Sequence, residues 1–266
     1  PDTSLKTDWK HFNDVLGGLQ RGCLYIIAAR PGDGKTDFAL HLAVQLAKRC
    51  RVDYRSLEMT KEQLVSRLLS TEALVGGTKL RMINSTRFRD HDLNENAQKR
   101  IGIAAARMGD LHLVMDDTPG VSAGDVEAKL ASGKPDVMFI DYLGLMRGDA
   151  AGNKPLWQIT GEITHALKES ARRHGAAVVA LVQLARAADR QKEPALSDLK
   201  GGSDIEADAD GVIFMRPQKT GEFLSGDDAW PVEAVIAKNR HGGVGRLRFN
   251  WQPQYHNYVP TDNTRR

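Results

Sequence analysis

Ala29-Arg30-Pro31-Gly32-Asp33-Gly34-Lys35-Thr36 sits between the apolar run Leu24 to Ala28 and an amphipathic stretch that opens at Lys35. An apolar strand, a glycine-rich turn and a helix in succession form the setting that a phosphate-binding loop requires. Glycines let consecutive backbone N–H groups wrap an anion, and the helix N-terminus adds the positive end of its dipole. Lys35 is placed to reach the outer phosphates of ATP, and Thr36 to offer its hydroxyl to Mg²⁺. The usual opening glycine of the pattern is Ala29 here, which is tolerable if that position has negative φ.

Outward from this loop, short runs rich in Val, Ile, Leu and Phe alternate with longer amphipathic stretches. That is the pattern of a mostly parallel, twisted sheet flanked by helices. Strands are expected at Leu24 to Ala28, Val52 to Leu57, Leu111 to Met115, Val137 to Ile140 and Ala177 to Val182. Helices are expected to start at Lys35, Lys61, Asp92, Ala123 and Leu156. From Gly211 the segments shorten and alternate: Gly211 to Met215, Val232 to Lys238, Leu247 to Trp251 and Gln254 to Tyr258. These read as C-terminal β-hairpins, with His241-Gly242-Gly243 as one turn. Arg147 to Pro155 and Ala185 to Gly202 read as loops, and the length of the second marks it as functional or disordered.

Two carboxylates follow strands in this scheme. Asp141 closes Val137 to Ile140, where it would emerge at the carboxyl edge of the sheet near a bound metal. Glu58 follows Val52 to Leu57 and could orient or deprotonate an attacking water. Alone, either is an ordinary turn residue; flanking a phosphate loop, they point to nucleotide hydrolysis. Tyr142, next to Asp141, is expected to pack rather than react.

Composition sets the outer limits. With 266 residues and 41% apolar content, the chain can bury one large core, so a single domain over residues 1–266 is expected. No unbroken apolar run has membrane-spanning length, and the polar opening from Pro1 to Lys10 is no signal-peptide core, so a soluble, cytosolic protein without a membrane partner is expected. Cys23 and Cys50 form neither a CxxC pair nor a metal-ligand spacing, which suggests neither a disulfide framework nor a zinc site. The net charge of +3 does not by itself decide whether nucleic acid is a partner.

Further motifs narrow the reading. Ser56-Leu57-Glu58-Met59, Phe139-Ile140-Asp141-Tyr142-Leu143, Val182-Gln183-Leu184, Ser197-Asp198-Leu199 with Ile205-Glu206, Asp208-Ala209-Asp210 and Lys238-Asn239-Arg240 occur in that order between Thr7 and Tyr258. Together with Gly18-Leu19 and Gly22-Cys23-Leu24, this set resembles the RecA-like motor domain of DnaB-type replicative helicases. The resemblance implies Glu58 as catalytic base, Asp141 as the metal-organising acid and Arg67 as an arginine that approaches the terminal phosphate. Gln183 would sense that phosphate and pass its state to the loop beyond. Lys238 and Arg240, one residue apart on an expected strand and so on one face, would reach the ATP of a neighbouring subunit in a homohexameric ring. By residue type alone, the same pair is a basic hairpin surface.

On the DNA side, the resemblance assigns Lys200, Gly201, Gly202 and Ser203 to a channel loop that holds single-stranded DNA by its phosphates. Arg186 and Arg190 could add charge to it. Where the family often has Arg-Glu-Ser-Gly, this chain has Lys-Gly-Gly-Ser, which implies a looser contact. No aromatic ladder is present there, so recognition should be backbone-directed and tolerant of sequence. Primase or a helicase loader is the expected protein partner of the full system. The family's helical N-terminal domain is absent from these residues, and the chain begins at Pro1 rather than Met. Two other readings stay open at this level: a RecA-like ATPase of recombination or branched DNA, and a nucleotide-gated assembly module without turnover.

Overall fold

A computed structural model describes residues 3–71, 83–89, 93–148, 154–184, 194–199, 202–218 and 229–261. Its strands are β1 (Leu24–Ala29), β2 (Val52–Ser56), β3 (Leu113–Asp116), β4 (Val137–Asp141), β5 (Ala177–Gln183), β6 (Gly211–Pro217), β7 (Trp230–Asn239), β8 (Gly245–Gln252) and β9 (Asn257–Pro260). They form one sheet in the order β3-β2-β4-β5-β1-β6-β7-β8-β9. β3 through β6 in that order run parallel, and β7, β8 and β9 continue the sheet antiparallel.

Strands β1, β4 and β5 are buried on both faces, so their sequences read as nearly continuous apolar runs rather than alternating ones. Side chains still alternate with a period of two. In β1, Tyr25, Ile27 and Ala29 join one core cluster while Leu24, Ile26 and Ala28 join the other. In β4, Val137 and Phe139 take the first face, and Met138 and Ile140 the second. The first face is covered by α2 (Lys35–Ala47) and the second by α6 (Ala123–Gly133), α7 (Leu156–His174) and α8 (Gly202–Asp208). Elsewhere lie α1 (Lys10–Leu16), α3 (Lys61–Ser70), α4 (Ser85–Arg89) and α5 (Glu95–Gly109).

Local chemistry explains where the helices begin. Thr60 accepts from the Gln63 backbone while the Gln63 side chain accepts from the Thr60 N–H, a reciprocal cap that starts α3. Ser122 and Asp125 do the same for α6. Asn94 accepts from Ala97 N at 2.9 Å and starts α5, three residues beyond the expected Asp92, which itself lies outside the described residues. The strand expected from Leu111 begins at Leu113. The last strand is also displaced: Pro253–Tyr255 forms a 3₁₀ turn and His256 has φ 52°, so β9 starts only at Asn257. Helix α1 was not foreseen, because seven residues are too few to show a helical period.

The C-terminal strands fold over the outer side of α2 and bury it. Phe38 on that helix has ring centroids 5.3 Å from Trp9, 5.4 Å from Phe249 and 5.4 Å from Tyr258. His41, one turn on, is buried, with Nε2 3.1 Å from the His256 carbonyl. Burial lowers its pKa from 6.5 to about 4 despite the opposing pull of Asp37. The imidazole is therefore neutral in the fold, and the unfolded chain binds a proton between those values that the fold refuses. Stability contributed by neutral His41 is complete above pH 6.5 and declines as pH falls toward 4, by roughly 3 kcal/mol in total. Urea midpoints should accordingly drop between pH 6.5 and 5 in the wild type and show a flatter slope in His41→Leu.

Candidate nucleotide site

All the parallel strands present their carboxyl ends at one edge of the sheet, and their order decides which residues meet there. β5 separates β1 from β4, and β2 lies beyond β4. Ala29 pairs with Gln183, and Ser56 pairs with Asp141. The Leu57 N–H donates to the Asp141 carbonyl at 2.7 Å, which carries Glu58 past the end of β4. The phosphate loop, Gln183, Asp141 and Glu58 thus share one edge.

Within the loop, Gly32 and Gly34 both have φ 78°, a conformation that costs glycine nothing and other residues more. Ala29 ends β1 in extended backbone, so it needs no glycine. Asp33 N–H donates to the Arg30 carbonyl at 3.2 Å and closes the turn after Pro31. Lys35 then starts α2 and reaches back over β5, placing Nζ 3.0 Å from Asp141 Oδ1, with the two side chains only 7% and 1% exposed. The Tyr54 hydroxyl donates to the other Asp141 oxygen at 2.9 Å. Burial, together with the Asp141 charge, raises the Tyr54 pKa well above its ordinary value, so the hydroxyl remains a donor. Tyr142 packs as expected, its ring centroid 5.1 Å from Lys35 Nζ.

A cleft of about 230 Å³ opens above the loop. Of the expected residues, Arg30, Pro31, Gly32, Gly34, Lys35 and Thr36 line it from the loop side. Glu58 from the turn after β2, Arg67 from α3 and Gln183 from β5 line the other side. Met59 and Asp37 also line it, and three further lining residues that the sequence reading missed come from late in the chain: Trp251 at the end of β8, and Pro253 and His256 in the turn before β9. They are some two hundred residues from the loop, and no local pattern links them to it.

Asp37, one residue past Thr36, was also missed. It is 2% exposed and accepts from Arg67 Nη1 at 2.9 Å and Trp251 Nε1 at 3.1 Å, with His256 Nδ1 3.1 Å away. Burial alone would raise its pKa; the contacts with His256, Arg67 and Trp251 bring it below the ordinary carboxylate value. The donor set suits a magnesium nucleotide: backbone N–H groups in a glycine turn, an ammonium and a hydroxyl converge at one cleft, with the Asp141 carboxylate buried against the ammonium.

Lys238 and Arg240 lie at the opposite edge. Gly211 at the start of β6 pairs with Asn239, and the Asp210 N–H donates to the Leu24 carbonyl at 2.8 Å, beside the first residue of β1. Both side chains turn to the C-terminal end of α8, as their shared face requires. Lys238 Nζ donates to the Glu206 carbonyl, and Arg240 Nη2 donates to the Ala207 carbonyl at 2.6 Å. Asp210 also takes Lys168 Nζ at 2.6 Å and Arg240 Nη1 at 3.4 Å. Cys23 Sγ lies 3.3 Å from His241 Nε2 near Asp210, a proximity the cysteine spacing did not suggest; burial first, then Asp210, push the thiol up to about 11.

Arg186, Arg190, Lys200 and Gly201 lie outside the described residues, while Gly202 and Ser203 begin α8. The segment just before Lys200 is anchored: Leu199 bridges antiparallel to Leu184, the residue after Gln183.

A phosphate loop after one strand, an acid-ended strand two places away and a glutamine-ended strand between them define a RecA-like P-loop nucleotide-binding domain. Residues 4–260 match the DnaB-like helicase C-terminal domain, and the chain belongs to that family. It is 32% identical over 265 residues to the replicative DNA helicase DnaC of Bacillus subtilis, covering 97% of this chain and 56% of that protein. The chain thus spans about half the length of the curated relatives it matches. A solved ATPase domain superposes with a TM-score of 0.84 at 27% identity, over 97% of this chain and 91% of that one. A solved DnaB-like replicative helicase, described with its interactions with primase, gives 0.83 at 27% identity, over 97% and 62%.

A methyl group at Gly34 would press on the Tyr258 hydroxyl and lie 2.8 Å from Trp251 Cε2, in a backbone conformation alanine disfavours. Gly34→Ala should therefore lower unfolding stability by about 2 to 4 kcal/mol, read from urea denaturation.

Proposed function

We propose that the chain is the ATP-hydrolysing motor of a replicative DNA helicase, acting at subunit interfaces of a homohexameric ring that translocates on single-stranded DNA. One observation carries the reading. Lys35, Thr36, Asp141, Glu58 and Gln183 gather at one sheet edge, while Lys238 and Arg240 stand at the other. A cation at the far edge cannot serve its own phosphate loop, but in a head-to-tail ring it can serve a neighbour's.

The roles follow from the chemistry of each group. Backbone N–H groups of Gly32 to Lys35 would bind the phosphates of ATP, with Lys35 against the outer ones. Thr36 and Asp141 would hold Mg²⁺, which when bound neutralises charge on the phosphates. Glu58, exposed at the cleft, would orient the attacking water and take its proton. Tyr54 holds the second Asp141 oxygen and keeps that carboxylate in place. Arg67 and, from the neighbouring subunit, Arg240 and Lys238 would offset charge that develops on the terminal phosphate.

Coupling to DNA has a physical route. Gln183 would sense the terminal phosphate, and the Leu184–Leu199 bridge ties its strand end to the segment that enters Lys200 to Ser203. Those residues, with Arg186 and Arg190, are proposed to hold the DNA backbone. The far end of the same segment is α8, whose last carbonyls hold Lys238 and Arg240. Primase is the proposed protein partner of the whole protein, supported by the solved relative described with it.

Subunit mixing tests the composite site. Lys35→Ala and Arg240→Ala proteins should each lose DNA-stimulated ATP turnover. Mixed in equal amounts, they should regain it, because roughly a quarter of the interfaces then pair an intact loop with an intact arginine. No recovery, or activity retained by both single variants, would overturn the assignment. Electron microscopy with ATP and single-stranded DNA should show closed rings, whereas helical filaments would favour a recombination ATPase.

A further inference from the structure

We propose that Asp37 is a positioning residue that holds the Arg67 guanidinium at the phosphate cleft. The inference rests on the nucleotide reading above and adds a residue to it. Arg67 comes from α3, a different element from the loop, and a long side chain left free samples many rotamers. Its Nη1 donates to Asp37 Oδ1 at 2.9 Å, and the side chain is 28% exposed where it lines the cleft with Lys35 and Thr36.

The carboxylate that holds it is itself fixed. Trp251 Nε1 donates to Asp37 Oδ2 at 3.1 Å, and His256 Nδ1 lies 3.1 Å from the same oxygen. Those two partners come from the end of β8 and the turn before β9, so the C-terminal strands set the direction of the aspartate. A guanidinium carries five N–H donors, and a carboxylate on one side leaves others for an anionic ligand. The arrangement has the features of a preorganised electrostatic site, in which the donor is placed before the charge arrives.

An anion one residue from Thr36 would otherwise repel a polyphosphate. A bare Asp37 in this buried position would be unfavourable for the same reason that any unpaired buried charge is. Arg67, with Trp251 and His256 on the other oxygen, offsets both difficulties, and the guanidinium gains a defined direction. A purely structural ion pair would satisfy the burial but would not need its arginine to line the cleft.

The test is a double-mutant cycle on ATP hydrolysis by the assembled protein with single-stranded DNA, using Asp37→Asn and Arg67→Ala. Asp37→Asn should lower kcat by about tenfold or more, with KM for ATP changed by less than about threefold. Added to Arg67→Ala it should cause little further loss, because both act through one guanidinium. Circular dichroism checks the fold; if Asp37→Asn does not fold, Trp251→Phe, which removes one hydrogen bond to the carboxylate and part of the ring packed on Trp230 and Tyr258, is put through the same cycle. Its smaller loss of kcat should likewise vanish when Arg67 is absent. Losses that multiply independently, unchanged kcat, or a faster enzyme would overturn the inference. Absence of turnover in the wild type would instead sink the nucleotide reading itself.

Discussion

A buried ammonium needs a buried carboxylate beside it, and Lys35 meets Asp141 across an intervening strand. Either charge left alone in that environment would cost several kcal/mol. Ile140 is level with Ala180 of β5 and Ile26 of β1, so β4 ends short of both strands, and the lysine folds back from the loop across β5 to meet Asp141. Tyr54 completes the shell around Asp141, which ties β2 to the same point. β1, β2 and β4 are thus linked through one ion pair below the cleft.

The two edges of the sheet carry different halves of the proposed chemistry. The carboxyl edge gathers everything that faces a nucleotide, while Lys238 and Arg240 are held at the amino edge by carbonyls of α8 and by Asp210. Burial, with the nearby Arg240 charge, lowers the pKa of Lys238 from its ordinary value, and surrounding carboxylates only partly offset this. Two cations held side by side are costly, and the helix C-terminus offsets that cost with its partial negative charge. In the proposed ring, serving a neighbour's nucleotide would require these cations to leave α8, so the helix that follows the proposed DNA segment would be coupled to subunit assembly.

The C-terminal hairpins do more than lengthen the sheet. Trp251, Pro253, His256 and Tyr258 close over the start of α2, where Tyr258 donates to the Gly34 carbonyl at 3.3 Å. Phosphate-loop glycines must be free of side chains for the ligand, and at Gly34 the protein's own aromatic residues impose the same demand. The wall of the cleft and the grip on Asp37 both come from this late part of the chain.

Local patterns determined most of the elements, though not the short helices α1, α4 and α8. The glycine-rich octet between an apolar strand and a helix, the runs ending at Asp141 and near Gln183, and the starts at Lys35, Lys61, Ala123 and Leu156 were all readable from the sequence, because backbone preference and side-chain period act over a few residues. The shared face of Lys238 and Arg240 followed from the same period. Strand order, by contrast, was decided only by tertiary structure. That β5 lies between β1 and β4, that Lys238 and Arg240 fall at the far edge, and that Asp37 joins Arg67, Trp251 and His256 depend on contacts between segments as far as 219 residues apart. Such contacts are selected by the packing of whole faces against one another, and no window of sequence contains both partners.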